Sequence, residues 1–155
     1  MAEALFYHLT RRRLEDALPE LLQRTLSKGW RALVRCGAPE RAEALNRHLW
    51  TFADASFLPH GGPEDGRPAA QPIYLTAGAE APNGAQVLFL VDGAAASAEE
   101  MRGFERCCLL FDGRDEAAVA AARRAWKAAT QAKIAAVYWS EASGGWKKAA
   151  ETEGG

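Results

Sequence analysis

The chain is short of several things that would have named a chemistry outright. Of its 155 residues only three are cysteines, Cys36, Cys107 and Cys108. An odd count with two neighbours does not suit a disulfide framework, and no spacing matches a zinc site. They read as small buried strand residues of a reducing, cytoplasmic protein. Charge of one sign is also lacking. The formal net charge is −1, so no global basic field draws in nucleic acid, and any electrostatic recognition must come from a local patch. No apolar run approaches the roughly 18 residues needed to cross a bilayer. Met1 to Leu5 is mixed, and Arg11, Arg12 and Arg13 follow the apolar run instead of preceding it, unlike a secretory signal.

Catalytic signatures are missing as well. There is no G-x-x-x-x-G-K-[ST] phosphate cradle, no G-x-G-x-x-G after the first strand and no G-x-S-x-G elbow. The histidines, His8, His48 and His60, fall in no metal-binding spacing, so neither a metal nor any other cofactor is implied. One enzyme reading stays open: a nucleotide-dependent activity at the carboxyl ends of the strands, using His8, Asp92 and Asp112. Against it stands the reading of Asp92-Gly93 and Asp112-Gly113 as turns that end strands.

What is present is an alternation of strand-like and helix-like segments, which predicts an α/β fold with a mostly parallel sheet. A strand is expected over Ala4 to Leu9. The stripe Leu14, Leu18, Leu21, Leu22, Leu26 marks a helix, its start placed near Asp16 because Pro19 belongs in a first turn, its end at Gly29. Further strands are expected over Arg31 to Cys36, Ile73 to Thr76, Gln86 to Val91, Arg106 to Phe111 and Ile134 to Trp139. The two central runs are apolar throughout, as parallel strands covered on both faces should be. Helices are expected from Pro39 to about Trp50, after the capping box Ser97-Ala-Glu-Glu100, and from Asp115 to Thr130. Gly61 to Pro68 reads as an exposed loop. The organisation is a single domain over residues 1–148 and a frayed tail over 149–155. The whole segment from Glu141 reads as polar tail, anchored in part by Trp146.

One constellation carries recognition chemistry. Arg123, Trp126, Lys127 and Thr130 recur at i, i+3, i+4 and i+7, so they share a helix face, with Arg124 and Lys133 beside them. Ala118, Val119, Ala121, Ala122, Ala125 and Ala129 supply the packing side. Two cations separated by an indole suit a short peptide bearing acids, a large apolar residue and a free carboxylate. The same pattern also describes a solvated cationic face with Trp126 half-buried as packing. Trp126 beside cations leaves a further reading, direct stacking of single-stranded nucleic acid. A second cluster, Trp50-Thr-Phe52 and Ser56-Phe-Leu-Pro-His60, is either an apolar interface patch or the closure of a core edge.

Taken in order, Phe6-Tyr7-His8-Leu9, Gly29-Trp-Arg-Ala-Leu-Val34, Leu45-x-x-x-Leu49-Trp50, Ser56-Phe-Leu-Pro-His60, Leu88 to Gly93, Phe111-Asp-Gly113 and Ala122-Arg123-x-x-Trp126-Lys127 resemble the chi subunit of bacterial DNA polymerase III. The resemblance spans about residue 5 to residue 148. It implies a three-layer α/β/α fold, like a nucleotide-binding domain that has lost its phosphate loop, and a non-catalytic accessory role in replication. It implies two protein partners, with nucleic acid contacted mainly indirectly. The acidic C-terminal tail of single-stranded DNA-binding protein would meet the late helix, which maps to Arg123, Trp126 and Lys127, with Thr130 on the same face. The psi subunit, or another clamp-loader component, would meet Trp50 and Phe57-Leu58-Pro59. Where this chain has Trp126, members with a well-described tail site have tyrosine, so the pocket should differ in shape.

Overall fold

A computed structural model describes residues 2–10, 12–51, 60–62, 71–78, 80–142 and 145–152, with residues 50, 51, 60, 61, 142 and 145 described by backbone alone. The elements in order are β1 (Glu3–Leu9), α1 (Leu14–Ser27), β2 (Ala32–Arg35), α2 (Pro39–Thr51), β3 (His60–Gly61), β4 (Ile73–Thr76), β5 (Val87–Leu90), α3 (Ala98–Arg102), β6 (Arg106–Asp112), α4 (Glu116–Gln131), β7 (Ala135–Ala142) and β8 (Gly145–Thr152). The strands form one sheet in the order β3-β4-β2-β5-β6-β1-β7-β8. Every pairing is parallel except β7 with β8.

Strand pleating sorts the apolar residues into two cores, one on each face of the sheet. Leu5, Val34 and Phe89 pack under α1 and α2 with Leu18, Leu22 and Leu45. Phe6, Leu33 and Leu88 pack under α3 and α4 with Met101, Ala122 and Ala129. The result is the expected three-layer α/β/α arrangement. The three cysteines are buried and free, and burial pushes the thiols of Cys36 and Cys107 up to about 12.

Most local signals act as read. Ser97 and Glu100 form the reciprocal capping box of α3, and Asp115 caps α4 by accepting from the N–H groups of Ala117 and Ala118. Gly29, at φ +78°, closes α1: its N–H donates to Leu26 O, and that of Trp30 to Thr25 O.

Three expectations are corrected. First, α1 starts at Leu14, a turn before the expected Pro19-limited start, and carries Pro19 in its interior. Second, the loop expected from Gly61 begins with a short pairing of His60–Gly61 to β4; residues 63–70 lie outside the described set. Third, the segment from Glu141, expected as tail, completes β7 and forms β8, an antiparallel edge strand. Trp146 anchors it by packing edge-on to Tyr7, with ring centroids 5.0 Å apart.

Candidate functional site

α4 runs from the carboxyl end of β6 back to the amino end of β7, over β1. Ala122 and Ala129 are its buried centre line, and Ala118, Val119, Ala125 and Trp126 pack partly beside them. Small side chains there let the helix sit close to the sheet. Ala121, assigned by its size to the packing side, is exposed, because one residue turns the helix by about 100° and carries it past the packed stripe. Trp126 is half-buried. Its ring meets Phe6 of β1 edge-on at 5.2 Å and Tyr138 of β7 at 6.0 Å. Arg123 and Lys127 are exposed on the same helix face, one turn apart and flanking Trp126 in sequence.

Thr130 shares the face, but its hydroxyl donates to the Lys127 carbonyl at 3.0 Å. The group is turned onto its own helix and offers only lone pairs outward. Lys133, next to the helix end, occupies the left-handed region at φ 62°, where glycine is the usual choice.

Behind Trp126 lies a cluster that the sequence did not bring together. The Tyr138 hydroxyl and His8 Nδ1 are 2.6 Å apart, across 130 residues of chain. The His8 ring stacks on Phe111 at 5.0 Å, and a Cβ on Gly113 would overlap the imidazole. Gly113 is therefore glycine for space, whereas Gly93, at φ 85°, is glycine for conformation. Burial raises the Tyr138 phenol above its ordinary range, and the nearby Arg123 charge opposes this. The available signal was the alternation Ala136, Tyr138, Ser140, which puts every second β7 residue under α4.

Cations without an acidic partner are concentrated on this side of the molecule, though not confined to it. Arg12, Arg13, Arg24, Arg35, Arg41, Arg106, Arg114 and Lys148 all pair with carboxylates. Among the described residues, Arg123, Arg124, Lys127, Lys133 and Lys147 enter no ion pair; elsewhere Lys28, over the Trp30 ring, Arg102, on the Ala132 carbonyl, and Arg47 also lack an acidic partner.

The alternative site, at the carboxyl ends of the strands, is also a real crevice. β1 feeds α1 on one face and its neighbour β6 feeds α4 on the other, and a cavity of about 630 Å³ opens where these connections diverge. Asp92 and Asp112 both line it, together with Arg12, Arg41 and Arg114. His8 does not join them: its ring lies on the α4 side with Tyr138. The arginines are already engaged, Arg41 bridging Glu15 at 2.8 Å and Asp92 at 3.1 Å, and Arg114 holding Asp112 at 2.9 Å. That last contact holds the Asp112 carboxyl below its ordinary range. Of the residues named for nucleotide chemistry, Asp92 and Asp112 thus line the cavity, whereas His8 stands behind Asp112, against Gly113.

Trp50 belongs to α2 by its backbone, and Phe57, Leu58 and Pro59 lie outside the described residues. No helix among the described residues is long and apolar enough to cross a membrane.

The family model described as "DNA polymerase III chi subunit, HolC" matches residues 1–136. The chain belongs to the DNA polymerase III chi subunit family. A curated relative, "Probable DNA polymerase III subunit chi" of Rickettsia prowazekii (strain Madrid E), is 31% identical over 91 residues, 59% of this chain. The chain spans about half of that relative's length, 55%. The chi-family match takes in Arg123, Trp126, Lys127 and Thr130. It ends inside β7, before Tyr138 and all of β8.

Proposed function

We propose that this chain is a non-catalytic accessory subunit of the DNA polymerase III assembly, and that its α4 face grips the acidic C-terminal tail of single-stranded DNA-binding protein. One observation carries the reading: cations elsewhere in the described molecule are largely paired with carboxylates, while those around Trp126 are not. An acidic peptide supplies the missing partners. Arg123 forks onto a carboxylate, Lys127 adds a point charge, and the half-buried indole walls a place for an apolar side chain. Charge-assisted contacts at an exposed site make the affinity fall as salt rises.

Titration of a labelled tail peptide tests this. Arg123→Ala and Lys127→Ala each weaken binding by about 1–3 kcal/mol, the cost of losing a hydrogen bond to a charged group. Unchanged affinity in both variants overturns the assignment. Naked single-stranded DNA in a parallel titration separates tail binding from direct stacking on Trp126. The reading extends to a clamp-loader partner, the psi subunit in the family, at Trp50 and Phe57-Leu58-Pro59. For that interface the family resemblance is the sole support.

A further inference from the structure

The peptide reading above uses α4 alone, yet the β7–β8 hairpin brings one more unpaired cation to the same side of the sheet. In the ladder Tyr138 stands opposite Ala150 and Ser140 opposite Lys147, with a register shift between Tyr138 and Trp139. Directly opposed residues on antiparallel strands point to one face. Tyr138 points toward α4, since it packs on Trp126. Ser140, two residues on, shares that face, and Lys147 goes with it.

The neighbours of Lys147 confirm the alternation. Trp146 packs on Tyr7 under the Arg12 guanidinium, and Lys148 lies over the Trp139 ring while pairing with Glu151 at 3.3 Å; all of these belong to the α1 face. Lys147 and Ala150 are exposed, and among the described residues α4 packs on β6, β1 and β7. β8 stands two strand spacings, about 10 Å, from β1, on which Trp126 rests. That leaves a strip of sheet, floored by Tyr138 and Ser140, with α4 cations along one margin and Lys147 along the other.

We propose that Lys147 is a third cationic contact for the acidic peptide, which lies across the Tyr138 strip between α4 and β8. The inference rests on the tail-binding reading and adds to it a wall beyond the residues that the family match covers. Charge complementarity selects the occupant. Three unpaired cations from two elements border a floor that carries the Tyr138 ring, which suits a chain end with several carboxylates and one large side chain.

The test is a fluorescence-anisotropy titration of the full chain with an acidic peptide that ends in an aromatic residue and a free carboxylate. Lys147→Glu should raise Kd about tenfold, more at low salt than at high, since a like charge would then face the acids. Lys148→Glu, the same charge change on the same strand but the opposite face, should stay within about twofold. Equal effects of the two overturn the inference. Loss on Arg123→Ala with no loss on Lys147→Glu overturns the inference and leaves the α4 reading standing. Insensitivity to Arg123→Ala and Lys127→Ala overturns the reading and the inference together. Far-UV circular dichroism on each variant keeps folding out of the comparison.

Discussion

His48 Nε2 lies 2.8 Å from the carbonyl oxygen of Glu15, the one α1 carbonyl that Pro19 leaves without its backbone donor. A helical N–H at position 19 would bond the carbonyl at position 15, and proline has none. α2 supplies the donor instead, 33 residues away, with Nε2–H donating. This is why α1 tolerates a proline past its first turn.

The relationship predicts a coupling. His48→Ala should destabilise the protein by about 1 kcal/mol, the usual worth of a hydrogen bond whose acceptor is partly buried. In a Pro19→Ala background, where a backbone N–H returns, the same substitution should cost less. Urea unfolding of the four proteins in the cycle measures this, and identical costs in both backgrounds would refute the account.

Gly113 should be intolerant of any side chain. Gly113→Ala places a methyl group where the His8 ring sits, so the ring must leave Phe111 and Tyr138. A loss of about 1–3 kcal/mol follows, as for overpacking elsewhere. Gly113→Ser should be at least as damaging, and His8→Ala in the Gly113→Ala background should recover part of the loss. Thermal unfolding decides it.

Lys133→Gly should stabilise. A lysine at φ 62° bears a steric cost of about 1 kcal/mol that glycine does not. The same change removes one unpaired cation beside α4, so tail affinity should fall slightly at low salt while the melting temperature rises. A stability gain without any change in binding would place Lys133 outside the peptide's reach.

Acid should unfasten α1 from α2. Burial pushes the Glu15 carboxyl up, but its bonds to Arg41 and to its own backbone N–H outweigh this and hold it below its ordinary 4.5. A depressed folded value means the carboxylate stabilises the fold above the unfolded value, and that this contribution is lost as pH falls through the folded one. Urea unfolding should therefore show Arg41→Ala costing most near neutral pH and progressively less below about pH 4.5. A cost that does not shrink in acid would mean that Arg41 acts through packing alone.

Much of this was open to reading in the sequence. Continuous apolar runs such as Val87 to Leu90 declare central parallel strands, and Ser97, Asp115 and Gly29 declare helix ends, because those signals are local. The start of α1 was not legible, since what excuses Pro19 is a histidine on another helix. β8 was not legible either. Lys147, Lys148, Ala149 and Ala150 have little intrinsic preference for a strand, and pairing with β7 overrides it. On the candidate site, helical spacing alone placed Arg123, Trp126 and Lys127 together. Tyr138 and Lys147 join them only through strand register, and the Thr130 hydroxyl bond depends on a rotamer that no spacing reveals.

The seating of α4 has a mechanical consequence. The helix is tied by its ends to β6 and β7 and rests through Trp126 on β1, the strand zipped between those two. A pull on this helix is shared by three adjacent strands deep in the sheet, and cannot be relieved by peeling one strand from a rim. A handle at this place can bear tension while the fold behind it keeps its shape.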